Sequence, residues 1–534
     1  MKNIRKTALL LACITMVGAF SGCSGKKEVA EGGKMTIRWM GFPIDGTGKP
    51  DSEIEKYIEE KFDVELEPIF ITYGEYLDKK SMMLAGEDIP DVIYEFDPKH
   101  VKQDADQGFI AEVPYELIKE NAPDIYNMLN EEEPRVWSYS RVDDTNFGIP
   151  NLSHDGNNVT IGIWRKDWLD KVGITKVPQT IDEVGEALYK FTHNDPDGNG
   201  KNDTYGMTGA TSWNSMFINV FGAYGAMPFN WVKTESEEYI YGGLQPQTTE
   251  ALKTLAKWYS EGLIHPDFIN DALSGTAKDK FANGKIGYLD GLGGYFDKSD
   301  ATAVQNLTKE LNPGAEIVDS NPTKGPDGKS GGFIWGSAAH IVAFGQHLED
   351  DEAKLKKILE ILNTMVSDEE VMLNVRLGKE GTTYKLAEGA GEISDGIEFI
   401  APYDDSEYRK ESGIVNDFGA PTFFMPVTPL RSSYEKFTNK EKIQMYADAA
   451  GDTKGTTDAF LKPDVLPSSS KYFETLRNAQ IKLMVEIITG EKSADVYQAE
   501  FEKLWNEYGG KTLEGETVQV AENIEKILSE LGVQ

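Results

Sequence analysis

Four stretches near the start of the chain decide the fold class: MTIRWMGF (residues 35–42), SEIEKYIEEKF (52–62), VELEPIFI (64–71) and DVIYEF (91–96). The first, third and fourth are apolar or alternate in polarity over the length of a strand, whereas the second spaces its apolar residues at helical intervals. A further helix is expected over 73–84. Strands that alternate with helices in this way predict an α/β fold with a parallel, doubly wound sheet.

In sheets of this kind, ligands bind beyond the carboxyl ends of the strands. The stretches 42–45 and 94–97 follow two of the expected strands, so we expect both of them near a site. Further along, Thr180 and Glu183 form a capping-box pattern before an apolar helical repeat. Two more amphipathic helices are expected at 249–263 and at about 354–366, and 321–332 reads as an exposed loop.

The N-terminus has the pattern of an export signal. Three basic residues precede an apolar run from Ala8 to Phe20, which is too short for a membrane span, and Phe20-Ser21-Gly22-Cys23 follows. We expect residues 1–22 to be a lipoprotein signal peptide, Cys23 to carry the lipid, and 23–34 to form the anchor and a flexible tether. The alternative is a plain signal peptide with an incidental cysteine.

Length and charge limit the possible functions. With 534 residues the chain is long enough for two lobes, each with its own core. Its formal net charge is −35, and such a surface repels phosphate backbones. The sequence therefore argues against a nucleic-acid partner.

One segment has the pattern of a calcium loop. Residues 195–203, DPDGNGKND, match the first nine positions of an EF-hand loop, with Gly200 at the sharp turn of position 6. Position 12 is Gly206, where an EF-hand has its bidentate glutamate. The alternative is an Asx-rich surface turn without an ion. The pattern predicts a structural calcium ion, held by the side chains or carbonyls of Asp195, Asp197, Asn199, Lys201 and Asp203.

Catalytic motifs are absent from the sequence. The six histidines do not form a zinc-binding spacing, and no nucleophile elbow or phosphate loop is complete. A pair of glycosidase carboxylates would leave no sequence signature among 89 acidic residues. We therefore expect no enzyme, with a surface glycan-degrading enzyme as an open alternative.

Several ordered motifs resemble one known family. They are AGEDIPD (85–91), FGIP (147–150), WRKDWL (164–169), EGLIHPDF (261–268), FANGK (281–285) and GKEG (378–381). Together they resemble the family 1 extracellular solute-binding proteins of Gram-positive carbohydrate importers. The likeness is to the large lipoprotein subgroup, which is similar to alginate-binding proteins, and it is weaker from residue 400 onward.

This resemblance implies a two-lobe, periplasmic-binding-protein-like (type II) fold with hinge crossovers near 150, 333 and 395. Lobe 1 would comprise 35–150 and 335–395, and lobe 2 would comprise 151–334 and 396–534. The implied function is the substrate-binding component of an ABC importer, which closes on an oligosaccharide and delivers it to the permease. We expect a monomer, lipid-anchored to the outer face of the cytoplasmic membrane.

The resemblance also implies a set of ligand-binding residues at the cleft. Sugars stack their C–H faces on aromatic rings and bind polar groups through their hydroxyls. Trp213, Tyr295 and Trp335 are the strongest candidates, although for any one aromatic a core position is the alternative. We assign Trp39 and two further tryptophans, Trp168 and Trp258, to the core. The expected ligand-binding residues are Phe42, Asp45, Tyr94, Glu95, Asn151, Ser153, Asp155, Trp213, Asn214, Tyr295 and Trp335.

The nature of the ligand stays open, because a fold does not determine what it binds. A lipoprotein that captures peptides or another polar solute is one alternative, and a sensor partner of a membrane kinase is another. An arginine in the cleft would favour a peptide or a uronate. Arg165 and Arg376 are the two candidates for that role.

Overall fold

The computed structural model describes residues 33–41, 48–209, 216–271, 275–291, 293–296, 303–450 and 455–533. The strands are β1 (Met35–Gly41), β2 (Val64–Phe70), β3 (Val92–Glu95), β4 (Arg141–Val142), β5 (Thr145–Asn146), β6 (Gly148–Leu152), β7 (Ile161–Arg165), β8 (Tyr205–Met207), β9 (Trp231–Lys233), β10 (Tyr239–Tyr241), β11 (Ile286–Gly291), β12 (Ile317–Ser320), β13 (Gly332–Phe333), β14 (Ala338–Phe344), β15 (Tyr384–Leu386), β16 (Ile397–Phe399) and β17 (Gly455–Thr456).

The helices are α1 (Glu53–Phe62), α2 (Tyr76–Ala85), α3 (Pro98–Asp106), α4 (Tyr115–Asn121), α5 (Pro123–Glu132), α6 (Lys166–Lys171), α7 (Ile181–His193), α8 (Ile218–Ala223), α9 (Pro246–Ser260), α10 (Thr276–Ala282), α11 (Val304–Leu311), α12 (Glu352–Ser367), α13 (Glu369–Leu377), α14 (Ser406–Glu411), α15 (Arg431–Phe437), α16 (Lys440–Ala450), α17 (Ser469–Ile488), α18 (Tyr497–Glu507) and α19 (Gly510–Leu531). In the described part of the chain, no helix is both long enough and apolar enough to span a membrane.

The first lobe is built on a five-stranded sheet with the order β2-β1-β3-β14-β6. Strand β1 is parallel to β2 and β3, as the opening stretches predict, but β14 is antiparallel to β3 and β6. The sheet is therefore mixed and not fully parallel. The reason is that β14 enters from the second lobe, so it begins at the edge where β1, β3 and β6 end.

The second lobe contains a four-stranded sheet with the order β12-β7-β11-β8. Strand β7 is antiparallel to both of its neighbours, whereas β8 and β11 are parallel. The capping box predicted at Thr180 and Glu183 is present at the start of α7. Trp168 and Trp258 lie in the core of this lobe and Trp39 in the core of the first, as expected.

Three segments connect the lobes, at 153–160, 321–337 and 455–462. The first two meet where the Gly336 N–H donates to the Gly156 carbonyl at 3.0 Å. A Cβ atom on Gly156 would lie 2.1 Å from the carbonyl oxygen of Gly336, so only glycine at position 156 allows this approach. The second and third segments pair through the short parallel strands β13 and β17.

The resemblance placed the third connection near residue 395, but in the structure this connection lies well after that residue. Residues from Tyr403 to Phe437 pack into the core of the first lobe, and the Trp39 indole N–H donates to the Phe423 carbonyl at 3.0 Å. The expected lobe boundary at 395 is therefore too early. These residues show little helical or strand periodicity, and only their burial assigns them to the first lobe.

Helix α19 contacts both lobes. Leu513 and Val520 belong to the core of the second lobe, while Ile527 near the helix end belongs to the core of the first. The Arg141 guanidinium of the first lobe pairs with Glu530 at 2.5 Å. The last helix thus connects the lobes outside the three crossing segments.

Candidate ligand-binding cleft

Two sheet edges meet at the three connections and define the cleft. Strands β1, β2, β3 and β6 end, and β14 begins, at one edge of the first sheet. Strands β8, β11 and β12 end, and β7 begins, at one edge of the second sheet. Loops at the carboxyl ends of strands are the usual ligand positions in open α/β sheets.

An aromatic cluster, the aromatic shelf, lies at the cleft edge of the first sheet. It consists of Tyr73, Tyr76, Tyr94, Phe96 and His340, and the rings of Tyr73 and His340 lie 5.3 and 5.5 Å from that of Phe96. The Tyr94 hydroxyl and His340 Nδ1 are 2.9 Å apart. Tyr73 is 62% exposed, so its ring offers an apolar face to solvent.

The shelf carries no positive charge at neutral pH. Burial, together with the nearby Lys462 ammonium, lowers the pKa of His340 to about 3, which keeps the imidazole neutral. The Lys462 ammonium donates to the Ala339 carbonyl at 2.9 Å. The combination of a ring face and neutral polar groups suits a ligand that has both C–H faces and hydroxyls.

The sequence predicted that Tyr94 and Phe96 lie near a site, but it did not point to Tyr73 or His340. Phe96 is the first residue after β3, and Tyr73 follows β2, which runs parallel to β1. Applying the carboxyl-end rule to every parallel strand would therefore have found Tyr73 as well. His340 could not be found in this way, because it lies within β14 and reaches the shelf only through the antiparallel pairing.

Glu95 lies in a buried ion cluster behind the shelf and not on the ligand surface. Its carboxylate pairs with the Lys80 ammonium at 2.5 Å, and Lys80 also contacts Asp104 at 2.7 Å. Glu95 is 0% exposed. Burial raises the pKa of Glu95 to about 8. The Lys80 ammonium lowers this pKa, but the nearby Asp104 carboxyl group raises it. We therefore assign Glu95 to the core.

Three expected ligand residues lie around the first connection. Asn151 is buried: its side-chain amide donates to the Pro426 carbonyl and its oxygen accepts from the Thr428 N–H, so its role is structural. The backbone of Ser153 bonds to the second connection. Asp155 is half-buried.

Two side chains from remote parts of the first lobe hold Asp155 in place. The Tyr434 hydroxyl donates to its carboxylate at 2.5 Å, and the Lys442 ammonium of α16 donates to it at 2.9 Å. Asp155 therefore lies close to the cleft, but Lys442 compensates its charge. Few of its carboxylate lone pairs are left to accept hydrogen bonds from a ligand.

Tyr295 and Trp335 both lie at the cleft side of the second lobe. Tyr295 is half-buried in the 3-10 turn Gly293–Phe296 that follows β11, and burial raises its pKa. The Lys278 ammonium lies 5.3 Å from the centre of its ring. Trp335 lies on the second connection and is 40% exposed.

A cavity of about 730 Å³ lies beside the contact between this turn and helix α16, and its size is in the range of small-ligand sites. The second lobe contributes Phe296, Gln305 and Asp319, while the first lobe contributes Asp395 and residues 439–448. Nine of the eleven lining residues are polar or charged. We call this space the inter-lobe cavity.

Four of the expected ligand residues lie outside the residues that the structure describes. They are Phe42, Asp45, Trp213 and Asn214, and the lipid-bearing Cys23 lies outside as well.

The backbone of the loop 195–203 folds back on the Asp195 carboxylate. The Gly200 N–H donates to Asp195 Oδ2 at 3.1 Å, and Asp195 Oδ1 is buried without a hydrogen-bond partner. The Asn199 amide donates to Asp203 at 2.9 Å and also to Asp197. Among the described residues, no three histidine, cysteine, aspartate or glutamate side chains converge to form a metal site.

The two candidate arginines have structural partners. Arg165 donates from Nε and from one terminal nitrogen to the Asp167 carboxylate, at 2.9 and 2.7 Å. Arg376 is buried in the first lobe, where it donates to the Ala420 carbonyl at 2.7 Å and burial lowers its pKa to about 10. Neither arginine is placed to bind a carboxylate in the cleft.

Comparisons with known proteins agree with this architecture. Polygalacturonan/rhamnogalacturonan-binding protein YtcQ of Bacillus subtilis (strain 168) is 24% identical over 542 residues, covering 96% of this chain and 98% of YtcQ. Lipoprotein LipO of the same organism is 27% identical over 526 residues, covering 96% and 97%. Both relatives match the chain over nearly their whole length.

Solved structures share the fold. The S. pneumoniae ABC-transporter substrate binding protein FusA in complex with kestose superposes with a TM-score of 0.68 at 15% identity, covering 93% of this chain and 100% of FusA. The alginate-binding protein AlgQ2 without calcium ion has a TM-score of 0.65 at 16% identity, covering 92% and 98%. At such low identity these likenesses are evidence for the fold alone.

A family model described as bacterial extracellular solute-binding protein matches residues 45–370. This match covers more than half of the chain and includes the second sheet, every strand of the first sheet except β1, and the first two connections. The chain therefore belongs to the bacterial extracellular solute-binding protein family.

Proposed function

We propose that this protein is the substrate-binding component of an ABC importer and that it captures an oligosaccharide between its lobes. The observation that carries the proposal is the cleft itself. Exposed aromatic rings, including Tyr73 and Trp335, lie at its edge, and an inter-lobe cavity of about 730 Å³ is lined mainly by polar and charged residues. Rings can stack on sugar faces while the polar lining binds hydroxyl groups.

Relatives support a carbohydrate ligand. YtcQ is named for binding polygalacturonan and rhamnogalacturonan, and the FusA structure contains kestose. We propose that the ligand closes the lobes by contacting both of them, since a ligand shifts a conformational equilibrium only by its differential affinity for the two states. The closed form would then deliver the sugar unchanged to the permease.

We further propose that the protein is attached to the membrane through lipid on Cys23. The basic and apolar residues before Phe20-Ser21-Gly22-Cys23 support an export signal that ends at this cysteine. The relative LipO is named a lipoprotein. The attached protein would stand at the outer face of the cytoplasmic membrane, where it would act as a monomer.

A panel of neutral and acidic oligosaccharides tests the function in a thermal-unfolding assay with the purified protein. A ligand at about 100 times its dissociation constant should raise the free energy of unfolding by about 2.7 kcal/mol. Chromatography should recover the sugar intact. Stabilisation by peptides alone would contradict the oligosaccharide, and consumption of the sugar would contradict a pure binding role.

We also propose a structural calcium ion in the loop 195–203. The buried, unpartnered Asp195 Oδ1 supports it, because a buried carboxylate oxygen needs a cation or a donor. Two solved structures that share the fold are of an EF-hand mutant of FusA and of AlgQ2 without calcium ion. The ion would link the end of α7 to β8 and so stabilise the second lobe.

Calcium is expected to raise the free energy of unfolding by about 1.4 kcal/mol when its free concentration is about ten times its dissociation constant. Asp195→Asn should remove this gain, because it removes one ligand charge, whereas Asp327→Asn in another exposed aspartate–glycine turn should keep it. Calorimetry with and without EGTA measures both. An equal gain in the two variants would rule out this loop as the site.

A further inference from the structure

We infer that the cleft is built for an uncharged oligosaccharide and discriminates against uronic acids. This inference rests on the proposed function and specifies its ligand class. It contrasts with YtcQ, whose name refers to polygalacturonan, a polymer of acidic sugars. Three sets of contacts in the described part of the chain carry it.

The first set is the arginines. Arginine is the side chain best suited to bind a carboxylate, because its planar fork donates two parallel hydrogen bonds. All eight arginines in the described residues are already engaged within the protein, six with carboxylates and two with backbone carbonyls. They are Arg38, Arg135, Arg141, Arg165, Arg431 and Arg477 in the first group, and Arg376 and Arg409 in the second.

The second set is three of the lysines at the cleft; a fourth, Lys278, lies over the Tyr295 ring. Lys440 pairs with Glu392 and Asp395 at 2.6 and 2.7 Å. The Lys442 ammonium contacts Asp155 at 2.9 Å and a second carboxylate at 3.5 Å. Lys462 donates to backbone carbonyls of the aromatic shelf region and lies 3.7 Å from a further aspartate. A ligand carboxylate would have to displace a protein partner at each of these lysines.

The third set is the charge of the inter-lobe cavity. Its lining includes the carboxylates of Asp319, Asp395, Glu441 and Asp448, against the ammonium groups of Lys440 and Lys442. Like charges a few ångströms apart repel one another where the protein partly excludes water. An acidic sugar entering this net negative cavity is therefore repelled, whereas the hydroxyls of a neutral sugar find many acceptors.

The test compares an oligogalacturonide with its methyl ester, which differ in charge. Both are added to a panel of neutral and uronic oligosaccharides, and each ligand is titrated into the purified protein by calorimetry. We expect one of two results. Either only uncharged oligosaccharides bind, or the oligogalacturonide acid binds at least tenfold more weakly than its methyl ester. The difference between acid and ester should shrink between 50 and 500 mM salt, because salt screens the repulsion.

A variant makes the charge argument specific. Asp319→Asn keeps the shape of the half-buried side chain but removes one cavity charge, and it should narrow the difference between acid and ester. Asp327→Asn, on an exposed turn of the second lobe outside the cavity lining, should leave the difference unchanged. An effect of the same size in both variants would contradict the assignment of the selectivity to the cavity.

The outcomes separate the two proposals. An acid that binds as tightly as its ester, or hits confined to uronic oligosaccharides, would overturn the selectivity and leave the oligosaccharide-binding function standing. Failure of every oligosaccharide in the panel would instead overturn the proposed function, and the selectivity with it.

Discussion

Replacement of Lys80 by methionine is expected to lower the free energy of unfolding by about 3–5 kcal/mol, because it leaves a buried charge without its partner. The Lys80 ammonium lies 2.5 Å from Glu95 and 2.7 Å from Asp104, and all three side chains are buried. Methionine keeps most of the side-chain volume, so the loss reports on charge and not on packing. Urea denaturation followed by circular dichroism measures it.

The effect should depend on pH, and the pKa of Glu95 determines the direction. Burial raises this pKa from its ordinary value of 4.5 to about 8. A raised folded-state pKa contributes stability that is present below pH 4.5 and is lost as the pH rises toward 8. Removal of Lys80 further disfavours the ionised carboxyl, so Lys80→Met should cost more stability at pH 8.5 than at pH 5.

Lys79→Met is the matched control for this cluster. Lys79 lies on the same helix but is half-exposed, and its ion pair with Glu75 is at the surface. Such pairs contribute about 0–1 kcal/mol. A loss for Lys80→Met no larger than that for Lys79→Met would show that the buried cluster does not stabilise the first lobe.

Tyr73→Ala is expected to weaken oligosaccharide binding by about 10- to 100-fold and to leave stability nearly unchanged. The ring is 62% exposed at the cleft edge of the first sheet, 5.3 Å from Phe96. Burial of an aromatic face against a ligand is worth about 1.5–3 kcal/mol from its apolar area, with a further contribution from stacking. Calorimetric titration with the best ligand of the panel measures the change.

Tyr189→Ala controls for the removal of an exposed tyrosine. Tyr189 is 51% exposed on α7 of the second lobe, where its ring packs on His193 near the end of that helix. The Tyr189→Ala variant should bind the oligosaccharide with unchanged affinity. Equal affinity losses in the two variants, or an unchanged affinity for Tyr73→Ala, would remove the aromatic shelf from the ligand site.

Most of the secondary structure could be predicted because it depends on local patterns. The expected strand over 64–71 and helix over 354–366 correspond to β2 and α12, within one or two residues at each end. The start of α7 followed from its capping box alone. Periodicity of apolar residues and capping chemistry are properties of neighbouring residues, which a sequence states directly.

The candidate site was predicted only in part. The rule that ligands bind at the carboxyl ends of strands pointed to Tyr94, which lies near the end of β3 and belongs to the aromatic shelf. The same rule pointed to Glu95, but β3 is buried on both faces and the Glu95 carboxylate pairs with Lys80. The family resemblance likewise predicted Asn151 as a ligand-binding residue. In the structure, segment 425–428 covers its side chain. Whether a polar residue is a ligand contact depends on what covers it, and that is a tertiary property.

The sequence by itself determined the α/β class, most element positions, the family motifs and the pattern of the calcium loop. Only the tertiary structure decided the third lobe connection, the compensation of the cleft lysines and the burial of Arg376. Those features depend on contacts between residues far apart in the chain, such as Trp39 with Phe423, 384 residues away, and Asp155 with Lys442, 287 residues away. No local pattern encodes such a pairing, because it forms only when separate elements pack together.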